Sequence, residues 1–244
     1  AEELEAPLIL QIAEGRLRYS PLDLLGPVMI AAAKKCKMPT AVHLDHGSTM
    51  ETIKLALDLG FTSVMFDGSK YPLDENIART KEVVKLAKSY GADVEGEIGR
   101  VGGAEGAYKS VAVLVTRVEE AKRFAEESGI DAMAVAIGTA HGNYKEKPQL
   151  RIDRLKEIHA AVKTPLVLHG GTGLTETDFR TCLANGIQKI NIATASYDAS
   201  AAKIKEVAAA NPQAKYFDFS DAIVQGTYEN VKKHMHIFGL EHKA

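Results

Sequence analysis

The stretch 164–194, "TPLVLHGGTGLTETDFRTCLANGIQKINIAT", carries a strand, a helix and a second strand in one short run. "TPLVLHG" (164–170) and "QKINIAT" (188–194) are short apolar segments with the pattern of buried strands. Between them, "TETDFRTCLANG" (175–186) opens on a threonine suited to cap a helix and stops at a glycine. Strand, helix, strand is the repeating unit of α/β folds. How often it repeats decides the architecture.

The same unit recurs in both directions. Strand-like runs occur at "PLILQIA" (7–13), "PTAVHL" (39–44), "FTSVMF" (61–66), "ADVEGEIG" (92–99) and "DAMAVAIG" (131–138). Helical patterns fill the gaps at 49–60, 76–91, 117–129, 151–162 and 195–211. This gives seven units, one short of the eight of a closed barrel. "AEELEAP" (1–7) reads as the last turns of an amphipathic helix halted before Pro7, because a residue preceding proline avoids the helical region. The expected fold is therefore α/β, a (β/α)8 TIM barrel whose first strand–helix unit is missing from this sequence. An open doubly wound sheet is the alternative. No Ser-, Pro- or Gly-rich linker divides the chain, so residues 1–244 are read as a single domain.

Composition limits the partners. The 244 residues are 45% hydrophobic and 25% charged, with a formal net charge of −2. Basic and acidic residues are mixed, which argues against a nucleic-acid or anionic-membrane surface. No run approaches the ~20 apolar residues of a membrane span. Cys36 and Cys182 are far apart in apolar helical contexts and read as reduced core thiols, which points to the cytoplasm.

In a barrel of this kind the active site lies where strands end and βα loops begin. Those ends carry Asp45 and His46 ("AVHLDHG", 41–47), Asp67 ("MFDGS"), Glu97 ("EGEIG"), His141 ("IGTAHG"), His169 ("LVLHGG") and Asn191 ("KINIAT"). Three imidazoles on three strand ends, with carboxylates beside them, are the parts of a catalytic zinc site with one open position. For any one histidine the plain alternative is a hydrogen-bonded residue at a barrel rim. His43 lies inside its strand and suits packing or an outer hydrogen bond. His159, His234, His236 and His242 fall on late helices or the tail.

The glycine-rich "HGGTG" after one strand and "NIATAS" after the next sit where such barrels build phosphate sites from backbone N–H groups and a helix N-terminus. Thr172, Thr175 and Thr194 could equally be helix caps. Lys145 could reach a second anionic group or be a solvated loop lysine. "GRVGGAEGAYKS" (99–110) is a lid candidate, with Glu105 either a second acid/base or a solvated loop residue.

Together, "HLDHG", "FDGS", "EGEIGRVGG", "AVAIGTAHGNY", "PLVLHGGTG" and "KINIAT", in this order over nearly the whole chain, resemble the class II, metal-dependent ketose-bisphosphate aldolases of fructose- and tagatose-1,6-bisphosphate type. The resemblance implies that His46, His141 and His169 bind a catalytic Zn²⁺, and that Asp67 and Glu97 can hold the metal in a second position. It implies Asp45 as the acid/base. It implies that Gly142, Gly170, Gly171, Thr172, Asn191, Ile192, Ala193 and Thr194 contact the triose and its phosphate. A monovalent cation is a second cofactor candidate, and a homodimer or homotetramer the expected assembly. The family's first strand and helix are absent here, and the loop after Gly103 looks shorter than its acidic counterpart, which puts a catalytic Glu105 in doubt.

The implied reaction is reversible cleavage of a ketose 1,6-bisphosphate to dihydroxyacetone phosphate and an aldehyde such as glyceraldehyde 3-phosphate. Breaking C3–C4 leaves negative charge beside the C2 carbonyl, which a Lewis acid can hold, so no Schiff-base lysine is needed. A zinc-dependent barrel hydrolase is the rival, but neutral substrates need no phosphate loops. A non-catalytic sugar-phosphate binding protein is the third reading, and it gives no reason for Asp45 beside a ligand histidine.

Overall fold

Along a strand successive side chains face opposite sides, so residues two apart share a layer. The computed structural model describes residues 1–103, 114–144, 146 and 148–244. Among these, the chain runs β1 (Leu8–Ala13), α1 (Leu22–Lys35), β2 (Thr40–Gly47), α2 (Met50–Asp58), β3 (Ser63–Phe66), α3 (Leu73–Lys88) and β4 (Asp93–Ile98). It continues through β5 (Gly102–Gly103), α4 (Val118–Ser128), β6 (Ala132–Val135), β7 (Ala140–His141), α5 (Ile152–Ala161), β8 (Leu166–Leu168), α6 (Glu176–Ala184) and β9 (Ile187–Ile190). Two helices, α7 (Thr194–Ala210) and α8 (Tyr216–Phe238), follow.

Seven strands form one sheet in the order β1-β2-β3-β4-β6-β8-β9, every pair parallel. The short β5 and β7 pair separately, Gly102 opposite Ala140 and Gly103 opposite His141. Val42, Leu44, Val94, Ile98, Met133, Val135, Leu166 and Leu168 join Ile53, Phe124, Leu155 and Ile158 in one buried cluster, the layer between sheet and helices. The alternate positions face inward, and there Met65, Ala134 and Val167 form a small apolar cluster of their own.

The sheet curls. Asn191, just past β9, bonds Asp45 on β2, and Lys189 on β9 bonds Glu95 on β4. Strands so far apart in the sheet order can meet only across a concave face. Closure is not reached: among the described residues no pairing joins β9 to β1. The expected eight-unit barrel is thus seen as a seven-stranded curled sheet, because among the described residues no eighth strand fills the space between its edges. A groove of about 700 Å³ lies there, lined by Leu8, Ile9, Gln188 and Ile190 among others.

Several ends follow local chemistry. Thr49 caps α2 by accepting from the Thr52 amide, and Glu14 accepts from Ser48 and Thr49 beside it. Thr175 and Asp178 form a reciprocal capping box on α6, so Thr175 is a cap. Residues 1–6 make the paired bonds that close a helix C-terminus, Ala6 N–H to Ala1 C=O and Glu5 N–H to Glu2 C=O, with Glu5 left-handed at φ 49°. Among the described residues no helix is long and apolar enough to cross a membrane. Cys182 is buried as expected, whereas Cys36 is only half-buried; both are free thiols.

Candidate metal centre and acid–base site

Asp45 and His46 are consecutive, and a regular strand would send them to opposite faces. The β2–β3 register shifts between Leu44 and Gly47, and His46 takes a left-handed backbone at φ 47°. This irregularity, of a kind that costs on the order of 1–3 kcal/mol, turns both side chains into the concave face. Gly47 allows it, since a Cβ there would collide with the Met65 carbonyl.

Three histidines then converge from β2, β7 and the end of β8. Ring centroids are 4.8 Å apart for His46–His141, 4.7 Å for His46–His169 and 5.8 Å for His141–His169. A second cluster, His46, Asp67 and Glu97, shares the His46 ring. In each cluster one ligand atom per residue lies within 4.8 Å of the others. The His46 Nδ1 lies 2.9 Å from Asp67 Oδ2, and Ser69 bonds the other Asp67 oxygen through both its amide and hydroxyl.

The carboxylate contacts assign one proton on each of two rings. An ionised carboxylate only accepts, so His46 Nδ1–H points at Asp67 and His169 Nε2–H at Glu95, 2.8 Å away. That leaves His46 Nε2 and His169 Nδ1 facing each other at 3.0 Å, a spacing bridged by a proton on His46 Nε2 or, in its place, by a metal ion. Glu97 Oε2, buried and without a hydrogen-bond partner among the described residues, stands 3.9 Å from His46 Nδ1 and 4.0 Å from His169 Nδ1. Imidazoles and carboxylates, with one carboxylate oxygen unpartnered, are the donor set that suits zinc.

The electrostatics agree. Burial opposes charge on His46, yet Asp45, the Asp67 hydrogen bond and Glu97 hold its imidazole well above the ordinary range. Burial, with Asp67 next to it, pushes Glu97 up to about 8. Burial also works against ionisation of Asp45, Asp67 and Glu95. All three are nevertheless lowered, Asp45 by the histidines, Asp67 by His46 and Ser69, and Glu95 by Lys189 and His169. His169 is lowered by burial. His43 is buried, bonded to Ser63 Oγ at 2.8 Å, and lowered to about 4 by burial; it belongs to neither cluster.

Beside the histidines is a small cavity of about 20 Å³. Asp45, His141, Gly142 and Asn191 line it, as do Gly170, Gly171 and Thr172 from one loop and Ala193 and Thr194 from the next. Ile192 does not; its side chain packs against Gly171 and lines the groove between the sheet edges. Thr172 Oγ1 accepts from the Ala195 amide at 3.0 Å, so it caps the N-terminus of α7 from the neighbouring loop. Thr194 begins α7. Tyr144 ties the loops together, donating to the Gly170 carbonyl at 2.7 Å and accepting from the Ala140 amide at 3.0 Å. Glu105 and Lys145 lie outside the described residues.

Glu95, Lys189, Gln11 and Tyr144 were not expected from the sequence. The signal for two of them was there: Glu95 shares a strand face with Glu97, and Lys189 with Asn191.

The chain matches the family profile "Fructose-bisphosphate aldolase class-II" over residues 1–243. The chain belongs to the class-II fructose-bisphosphate aldolase family. Among curated relatives, the fructose-bisphosphate aldolase of Staphylococcus aureus strain Mu50 is 37% identical over 250 residues, covering 100% of this chain and 87% of that one. Among solved structures, the YdjI aldolase of Escherichia coli K12 superposes with a TM-score of 0.89 at 33% identity, covering 100% of this chain and 86% of that one. Membership in this aldolase family favours neither the hydrolase nor the non-catalytic reading.

Proposed function

We propose that this class-II aldolase reversibly cleaves a ketose 1,6-bisphosphate of fructose or tagatose type into dihydroxyacetone phosphate and an aldehyde such as glyceraldehyde 3-phosphate. The observation that carries the reading is the pair of imidazole nitrogens facing at 3.0 Å beside Glu97 Oε2, which has no hydrogen-bond partner among the described residues, with Asp45 at their side. His46, His141 and His169 would hold a zinc ion, and Asp67 and Glu97, with His46, would offer it a second position. When bound, the ion supplies Lewis acidity to the substrate carbonyl.

Asp45 takes the C4 hydroxyl proton as C3–C4 breaks and returns it to the aldehyde oxygen in condensation. Its two oxygens accept from Asn191 Nδ2 at 3.0 Å and Gln11 Nε2 at 3.4 Å, which aim the carboxylate. Gly142, Gly170, Gly171, Thr172, Asn191, Ala193 and Thr194 hold the triose phosphate against the start of α7, so that remote binding energy orients the reacting carbons. The test is release of dihydroxyacetone phosphate from fructose and tagatose 1,6-bisphosphates with and without chelator. Cleavage of one or both, lost with chelator, is expected; no release from either overturns the reading.

The same proposal includes a complete eight-stranded barrel, the eighth strand lying between β1 and β9. It predicts slow amide exchange along both edges in a chain carrying that strand; rapid exchange there excludes closure. It includes a homodimer or homotetramer, supported by exposed Tyr216, Phe217, Val224, Leu24 and Val28, and a monomer by light scattering excludes it. A cytoplasmic location rests on the two unpaired thiols, and fractionation with secreted or envelope proteins excludes it.

A further inference from the structure

Beneath the histidines lies a buried polar layer that the proposed reaction does not itself use. Lys189 projects into it from β9 and donates to Glu95 Oε2 at 2.7 Å and to Asn191 Oδ1 at 2.8 Å. Each partner leads to a different part of the site. Glu95 Oε1 accepts from His169 Nε2 at 2.8 Å, which leaves His169 Nδ1 to face His46. Asn191 turns its amide nitrogen to Asp45 Oδ1 at 3.0 Å.

The orientation of the Asn191 amide follows from the lysine. An ammonium group only donates, so the atom 2.8 Å from Nζ must be the carbonyl oxygen, and the NH₂ is left for Asp45. That NH₂ also lies 3.2 Å from His169 Nε2, but with a proton on Nε2 the contact is donor against donor, and Asp45 is the acceptor. Remove the ammonium and the amide is oriented by Asp45 alone, its carbonyl oxygen having lost the donor that holds it. Glu95 would also lose the cation that anchors it under His169.

We propose that Lys189 is a positioning residue that sets two groups at once: the tautomer and aim of His169, through Glu95, and the aim of Asp45, through Asn191. It touches neither substrate nor metal. The inference rests on the aldolase reading for its kinetic consequence only; the hydrogen-bond pattern stands without it.

The experiment compares the full-length chain with Lys189→Met. Zn²⁺ affinity, read by competition with a chromophoric chelator, should fall about 10–100-fold, the usual effect of losing an outer partner of a ligand histidine. In the zinc-loaded variant kcat for the ketose bisphosphate should fall at least tenfold, while KM stays within about threefold, because of the residues that hold the triose phosphate only Asn191 contacts Lys189. A variant with wild-type zinc affinity and wild-type kcat, even if it melts at lower temperature, reduces Lys189 to a structural role and overturns the proposal.

Should Lys189→Met not fold, nitrogen-15 NMR of the wild-type histidines decides. His169 must carry its proton on Nε2, and a proton on Nδ1 overturns the proposal. If the wild-type chain cleaves neither sugar, the functional reading falls, and zinc affinity and the NMR tautomer still test Lys189.

Discussion

At the scale of single residues, the site depends on side chains whose neighbours allow them only one role. Asp45 accepts from Asn191 and Gln11 and takes no part in the two metal-suited clusters, so losing its charge should leave the metal in place. Asp45→Asn should keep zinc and triose-phosphate affinity and lose about 10²–10⁴-fold in cleavage rate, the usual worth of general acid–base catalysis. Zinc titration with single-turnover rates checks this, and turnover within about threefold of wild type removes Asp45 from the chemistry. His46→Ala, His141→Ala and His169→Ala should instead lower bound zinc by metal analysis, since each deletes a proposed ligand. If all three variants keep one tightly held zinc per chain, the ligand set is wrong. These residues were legible because strand ends expose them in sequence order. Their joint orientation was not, because the left-handed turn at His46 overrides the two-residue alternation that a strand pattern implies.

At the scale of elements, strands and amphipathic helices could be read where one face is uniformly apolar, and could not where packing replaces pattern. The sequence reading did not single out α1, which carries Gly26 and Pro27 in its interior, two residues that weaken a helical signal. Nor did it single out α8. There Gly226 sits mid-helix because a Cβ would lie 2.6 Å from the Ala199 carbonyl of α7, so the two helices pack closer than side chains allow. The end of β2 makes the same point. Gly47→Ala should force the strand away from the Met65 carbonyl, costing about 1–3 kcal/mol by urea unfolding and weakening zinc binding. An alanine variant with unchanged midpoint and zinc affinity would show that the bulge does not need glycine. On α6, burial pushes the Cys182 thiol from 9.0 up to about 11. The folded chain keeps its proton where the unfolded chain has lost it, so stability is full below pH ~9 and falls as pH rises toward 11. Urea midpoints across that range should decline less in Cys182→Ala, and equal slopes would rule out this thiol as a source of the decline.

At the scale of the whole molecule, the curled sheet lets β8 and β9, at one edge, share a site with β2, next to the other edge. Strand order and spacing in the sequence pointed to that convergence, but the polar layer under it could not be read without the fold. Glu95 and Lys189 are 94 residues apart and meet only because the sheet curves. That layer also bears on which of two aldol chemistries the molecule can run. A lysine-based route needs a neutral amine that attacks the substrate carbonyl to form an imine, which borohydride would trap. Lys189 is the lysine that the described structure brings beneath the site, and its Nζ is engaged by Glu95 and Asn191 at 2.7 and 2.8 Å, contacts that use its hydrogens. The histidine cluster, by contrast, brings together ring nitrogens that a metal ion could bind in place of a proton. Stripping metal with a chelator should therefore abolish release of dihydroxyacetone phosphate, and added Zn²⁺ should restore it. Borohydride with dihydroxyacetone phosphate should leave the intact mass of the chain unchanged. Full activity in the metal-free protein together with a reduced lysine adduct in the mass spectrum would replace the metal route by an imine route.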